Sequence, residues 1–184
     1  MTKVFRAALY AAAPIIVFGL FSGPLRAKDQ PATDSEQVTK LLREVRTLAF
    51  QLKDDADTME TFTRAQVSMN AHVEVINQIR DHVNALARVQ DKLEAAKYTA
   101  SPWQKTAIIR IDPFINELTG YTNAAIEYIN DTVKHTPVEY ADYLQANADY
   151  SDDLATMISQ LIDYGRVKQR LDRMGGKLEV PAGN

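Results

Sequence analysis

Four stretches of this chain repeat apolar residues every three or four positions, and each opens on a Ser or Thr with a Glu or Gln three residues later. That pairing is the capping box. Its hydroxyl accepts the third helical amide while the Glu or Gln reaches back to the cap amide, so two otherwise unpaired donors are satisfied. The boxes are Thr33…Glu36, Thr63…Gln66, Ser101-Pro-Trp-Gln104 and Thr136-Pro-Val-Glu139. In the last two a proline takes the first helical position, where its missing N–H costs nothing. No segment alternates with period two, so the chain is expected to be all-α.

The stripes give four helices. Helix A, 34–59, carries Val38, Leu41, Leu42, Val45, Leu48, Ala49, Leu52, Ala56 and Met59 on one face. Helix B, 64–98, carries Met69, Val73, Ile76, Ile79, Val83, Leu86 and Leu93. Helix C, 102–134, runs from Ala107 and Ile108 through Leu118 to Ile129, and helix D, 137–174, from Tyr140 through Leu144 and Leu154 to Ile162. Connections of roughly two to six residues favour antiparallel neighbours, hence an up-down-up-down four-helix bundle over 34–176, of coiled-coil-like packing. Helix A is the shortest, so one end of the bundle is expected to hold three helices. Pro113 either kinks helix C or splits it into 102–112 and 113–134. Helix D is expected to stop at Gly175-Gly176, with 177–184 as a tail and 28–33 as a flexible start.

Ahead of the bundle lies a secretory-signal pattern. Lys3 and Arg6 form a positive start, Ala7 to Phe21 is apolar and uncharged, and Ala27 offers a small residue before the polar stretch that begins at Lys28. The apolar run is shorter than the ~20 residues needed to cross a bilayer and is interrupted by Pro14 and Gly19. Residues 1–27 are therefore expected to be removed and the product to be periplasmic or secreted, with membrane contact only if the segment is retained. Removal takes Lys3, Arg6 and Arg26 and no acid from a chain of 21 basic and 24 acidic residues. The remaining acidic balance, with basic residues scattered, argues against a nucleic-acid partner. Zero cysteines exclude disulfides, thiol catalysis and Cys-ligated metals.

Histidines are the first candidates for chemistry, since bundles hold metals and haem between facing helices. His72 falls seven residues before Ile79 on the helix B stripe, with Met69 one turn earlier and Met59 at the end of helix A. A Met and a His on neighbouring helices can ligate haem iron. The plainer reading of His72 is a partly buried side chain satisfied by a neighbour. His82 reads as a boundary residue. Di-iron bundles need Glu-x-x-His pairs, and Met69, Ile79 and Thr132 stand three residues before His72, His82 and His135. Asp131 and His135 read as a helix-end pair, and the acids Asp54, Asp55, Asp57 and Glu60, with Asp149, Asp152 and Asp153, as solvated helix faces.

Tyrosine placement is the least ordinary feature. Tyr140, Tyr143, Tyr150 and Tyr164 share helix D, and Tyr121 and Tyr128 lie one heptad apart on helix C. Such rings either rim a groove for a small apolar ligand or a partner protein, or fill the bundle boundary with their hydroxyls wet. Trp103 beside Pro102 is expected to plug the core end. No nucleophile–base pair or phosphate-cradling loop is present, so no enzyme is expected.

The run Asp57-Thr-Met-Glu-Thr-Phe-Thr-Arg64, the block from Ser101 to Pro113 and the Glu139-Tyr-Ala-Asp-Tyr143 start of helix D resemble exported four-helix-bundle proteins of soil-type bacteria that carry no assigned function. The resemblance spans most of the mature chain and brings no activity, ligand or site. In shape alone the chain is also similar to cytochrome b562-like bundles and to chemoreceptor sensor domains. The expected function is a non-catalytic periplasmic or secreted helical binding or scaffold module without a cofactor; the alternative is a haem- or metal-binding bundle centred on His72. One consequence is directly measurable. Intact-mass analysis of the exported protein is expected to place Lys28 at its N-terminus, and a product that retains Ala7 to Phe21 would overturn the signal-peptide reading.

Overall fold

The computed structural model describes residues 33–65, 67–131 and 137–178 of the chain. The signal segment, with Ala27 and Lys28, lies outside the described residues, as do Gln66, His135, Thr136 and the chain after Leu178. Four α-helices follow one another: α1 (Glu36–Thr61), α2 (Met69–Ala96), α3 (Pro102–Asn130) and α4 (Pro137–Leu178). Single 3-10 turns at Phe62–Arg64 and Lys97–Thr99 extend α1 and α2. No strand occurs among the described residues. Each helix packs on the next and α4 packs back on α1, while the α1–α3 diagonal barely touches. The chain is therefore the expected all-α, up-down-up-down bundle.

The interior is the set of stripes read from the sequence. Leu42, Leu52 and Met59 of α1, Ile79, Leu86 and Leu93 of α2, Ile108, Ile111 and Leu118 of α3, and Leu144, Leu154 and Ile158 of α4 are its largest fully buried side chains. Burying an aliphatic side chain of this size contributes about 1.5–3 kcal/mol, so these residues supply the bulk of the driving force. Met69 and Val73 depart from the expected stripe and are exposed. Tracing the buried line backwards from Ile79 and Ile76 leads to His72, against which Phe62 packs edge-on. The inward place in the first turn of α2 is thus held by an imidazole and not by Val73.

Helix starts differ from expectation at two of the four boxes. The cap of α1 is Ser35, whose Oγ accepts from the Val38 amide, and not Thr33. The cap of α2 is Ser68, accepting from Ala71, while Thr63 lies in the 3-10 turn with its hydroxyl on the Glu60 carbonyl. The chain turns extended at Ala65 before α2 begins, so the helix starts five residues later than expected. For α3 the Ser101…Gln104 box is in place, and the Gln104 half is closed by a 3.0 Å bond from the Ser101 amide.

Helix lengths also correct the expectation. α1, α2 and α3 have 26, 28 and 29 residues, so no bundle end is short of a helix. α4 has 42 residues and continues through Gly175 and Gly176 to Leu178, into the segment expected to be a tail. Pro113 does not split α3, which runs unbroken. The proline deprives the Ile109 carbonyl of its usual partner, and both residues are exposed, so water satisfies the freed acceptor and no buried group is orphaned.

Two glycines test how tightly the helices approach. A Cβ on Gly165 would stand 2.4 Å from Cζ2 of Trp103, whereas one on Gly120 meets nothing within 4 Å. Gly165→Ala gains helix propensity of about 1 kcal/mol but must displace a packed indole, and overpacking costs about 1–3 kcal/mol. Urea unfolding is expected to find Gly165→Ala destabilised and Gly120→Ala stabilised by about 0.5–1 kcal/mol. Equal stabilisation by both would refute the close approach of Trp103 to α4.

Candidate functional site

One end of the bundle is organised around two consecutive side chains of α3. Gln104 is fully buried. Its Oε1 accepts from the amides of Ser101 and Ser35 at 3.0 Å each, and its Nε2 donates to the Ser35 carbonyl and Thr39 Oγ1 at 2.9 Å each. Both hydrogens and two acceptor positions of the amide are used. Gln104 is the third helical residue of its own box and also serves α1, whose third residue, Val38, has no polar group. Trp103 Nε1 donates to Asp34 Oδ1 at 2.6 Å, and its ring meets Tyr164 edge-on at 6.5 Å over Gly165.

Between α1 and α4 this end opens into a groove of about 840 Å³. Leu42, Trp103, Ile162 and Gly165 give it an apolar floor, and Lys40, Arg43, Arg166 and Gln169 on one hand and Asp34 and Glu36 on the other give it a polar rim. An apolar floor with a few convergent polar groups, in a volume of this order, is the usual character of a small-molecule site. Asp163 pairs with Arg166 at 3.3 Å; no carboxylate among the described residues pairs with Lys40 or Arg43. Trp103, expected as a core plug, is also part of the groove, and nothing in the sequence sets Lys40, Arg43 or Arg166 apart. They lie on helices far apart in the chain, and no periodicity joins them.

The opposite end holds His72. Its Nδ1 lies 2.9 Å from the Tyr140 hydroxyl, and its ring sits between Phe62 and Tyr140. Burial holds the imidazole below its ordinary pKa, so it stays neutral where an exposed histidine would begin to charge. Burial, and then the neighbouring Tyr128, push the Tyr140 phenol far above its ordinary value. Met59 is fully buried in the core, while Met69 is about half exposed. The two sulfurs considered with His72 are therefore in different environments, one enclosed and one facing solvent.

The tyrosines of α3 and α4 turn to each other. Tyr128 stacks on Tyr140 at 4.1 Å between centroids and Tyr121 on Tyr150 at 5.6 Å, with Phe114 edge-on to Tyr150. Tyr143 and Tyr150 pack against the core, and Tyr164 stands apart, more than half exposed. None of the six lines the Trp103 groove. Two separate sets of buried polar contacts also lie between the helices. Thr122 donates to Asn147 Oδ1 at 2.9 Å, Asn147 Nδ2 to the Tyr143 carbonyl at 3.1 Å, and Gln90 Nε2 to the Ile108 carbonyl at 3.1 Å. Gln90 and Thr122 follow the same three-four spacing as Leu86 and Leu93, and Leu118 and Ala125, which was the available signal.

Several members of the acidic clusters are paired, Glu60 with Arg64 among them. Lys53 bridges Asp57 on its own helix and Asp152 on α4, at 2.8 and 3.1 Å. Those two hydrogen bonds raise the Lys53 pKa. The ring of His82, the expected boundary residue, comes within 2.9 Å of Asp55 Oδ2 through its Nδ1. Among the described residues no three His, Cys, Asp or Glu side chains gather as for a metal, and no described helix is long and apolar enough to cross a membrane.

The neutral His72 has a consequence for stability. Its folded pKa lies below the unfolded value near 6.5, so the unfolded state takes up the proton first. The contribution is intact above pH ~6.5 and is lost as pH falls toward the folded pKa. Thermal unfolding of His72→Gln, compared with the parent protein across this window, is expected to show a weaker acid-side decline. Parallel curves would remove His72 as the cause. Comparison with known protein families, with curated proteins and with solved structures finds no match, so a function for this bundle has to be argued from its own surfaces.

Proposed function

We propose that the chain is a non-catalytic binding module of the bacterial envelope, periplasmic or secreted, and that it takes a small amphipathic anion in the groove between α1 and α4. The supporting observation is the gathering, in one concave site, of an indole-lined floor and three basic residues, Lys40, Arg43 and Arg166, on a rim that Asp34 and Glu36 share. A flat apolar body lies against Trp103 and Ile162 while a carboxylate, sulfonate or phosphate meets the guanidinium of Arg43, which recognises such groups by paired hydrogen bonds. The floor is held from beneath by Gly165 and from the side by the Trp103–Asp34 bond. A site so braced loses little freedom on binding. The cell location rests on the N-terminal pattern of Lys3, Arg6 and the apolar run to Phe21.

Trp103 is the only tryptophan in the chain, so its emission reads the groove directly. Titration with 1-anilinonaphthalene-8-sulfonate as the probe is expected to quench Trp103 in a saturable manner. Arg43→Ala is expected to weaken that binding about tenfold while leaving the fold unchanged by circular dichroism, in line with the ~1.5–3 kcal/mol of a charge-assisted hydrogen bond. Unquenched emission, or equal affinity in Arg43→Ala, would refute the reading. A Soret band after haem supplementation that His72→Ala abolishes would replace it with the haem-binding alternative.

A further inference from the structure

The last four turns of α4 carry an outward apolar arc together with a concentration of basic residues. Tyr164, Val167, Leu171 and Met174 are each about half exposed. Their three-four-three spacing puts them within roughly 80° of arc on a helix of 3.6 residues per turn. That arc faces away from the bundle, because Ile158, Ile162 and Gly165, on the other side of the same helix, are the buried ones. Arg170 stands nearest one border of that arc, with Arg166 and Arg173 further round the helix, and the three line a shallow basic channel with Gln169 and Met174. Lys168 stands on the other border.

Charge separates this segment from the rest of the chain. Residues 163–178 hold five basic and two acidic side chains, whereas the whole chain has 21 basic against 24 acidic. The two acids are engaged, Asp163 with Arg166 and Asp172 with Lys168. Among the described residues no carboxylate pairs with Arg170 or Arg173. A helix with an apolar arc bordered by lysine and arginine is the pattern that lies in the plane of a bilayer interface.

We propose that this end of α4 docks the protein on an anionic lipid surface. Leu171 and Met174, with Val167 and Tyr164, enter the boundary between headgroups and acyl chains, and Arg170 and Arg173 meet lipid phosphates. Charge complementarity selects this occupant: a basic border on an otherwise acidic protein is attracted to anionic lipid and holds the acidic remainder of the bundle outward. The arc is convex and uninterrupted, which suits a continuous surface. Four half-exposed side chains also offer far less than the ~800 Å² per partner of a standard protein interface, which disfavours a second copy of the chain.

The test is co-sedimentation with vesicles of mixed phosphatidylglycerol and phosphatidylcholine, and with phosphatidylcholine alone, at low and high salt. Parent protein and variants carry the same N-terminal sequence, so any difference between them reads α4. Binding is expected on the mixed vesicles only, and to fall at high salt. Removing two interfacial charges in Arg170→Ala/Arg173→Ala is expected to weaken it about 30-fold, and Leu171→Asp at least tenfold. All three positions are exposed, and circular dichroism checks that the variants stay folded. Absent binding, binding indifferent to phosphatidylglycerol, or an unchanged Leu171→Asp would overturn the proposal. A dimer in sedimentation velocity that Leu171→Asp dissolves, with no vesicle binding, would overturn it in favour of a second copy. Arg170, Leu171 and Arg173 do not line the Trp103 groove, so failure here leaves the quenching of Trp103 unaffected, and the two proposals fail separately.

Discussion

The amide of Gln104 makes four hydrogen bonds, two as acceptor and two as donor, and one end of the bundle is built on them. Helix starts leave amides without partners, and a buried start without them carries a penalty of about 1–3 kcal/mol for each orphaned group. Here two helix starts, of α1 and of α3, come together at the end of the bundle, and one buried side chain serves both. Because Gln104 fixes the Ser35 backbone, it also fixes where Asp34 stands, and Asp34 receives the Trp103 indole. Trp103 can then lie over Gly165. Groove floor, groove rim and the point from which the basic end of α4 projects all follow from that sequence of contacts.

The two ends of the bundle differ in kind. Around Gln104 and Trp103 the polar groups are directional and the surface opens into a groove whose rim carries both basic and acidic side chains. Around His72 the rings of Phe62, Tyr140 and Tyr128 close on one another, and burial disfavours the charged form of both imidazole and phenol. Between them the Thr122–Asn147 pair and the Gln90 bond to the Ile108 carbonyl lie across the α3–α4 and α2–α3 interfaces. Buried polar groups of this sort favour one register of the helices over its neighbours, since a slip by one turn strands them without partners. An apolar stripe alone would tolerate such a slip.

Much of the architecture was legible residue by residue. The stripes of Leu42, Leu52 and Met59, or of Ile79, Leu86 and Leu93, are interior in the structure because a 3.6-residue period leaves a side chain little choice of direction. Helix starts were less legible. Ser35 and Ser68 cap where Thr33 and Thr63 were expected, since a cap is decided by which hydroxyl meets the last extended residue, and Gln104 from another helix completes the arrangement at Ser35. The candidate groove was not legible at all. Lys40 and Arg166 are separated by most of the chain and carry no shared spacing. The tyrosines recur at heptad distance, and in the structure that recurrence serves stacking between α3 and α4.

By itself, then, the sequence determined helix number, the inward face of each helix, the antiparallel order enforced by short connections, and the absence of thiol chemistry. Those are consequences of local geometry and composition, which depend on near neighbours in the chain. Tertiary structure decided the rest. It set which helix start Gln104 would share, that Val73 would turn outward, that α4 would run past its glycines, and that Trp103 would find a groove wall in Gly165. Each of these is a contact between helices, fixed by how complementary surfaces pack in space and by which buried polar groups can find partners across the interface.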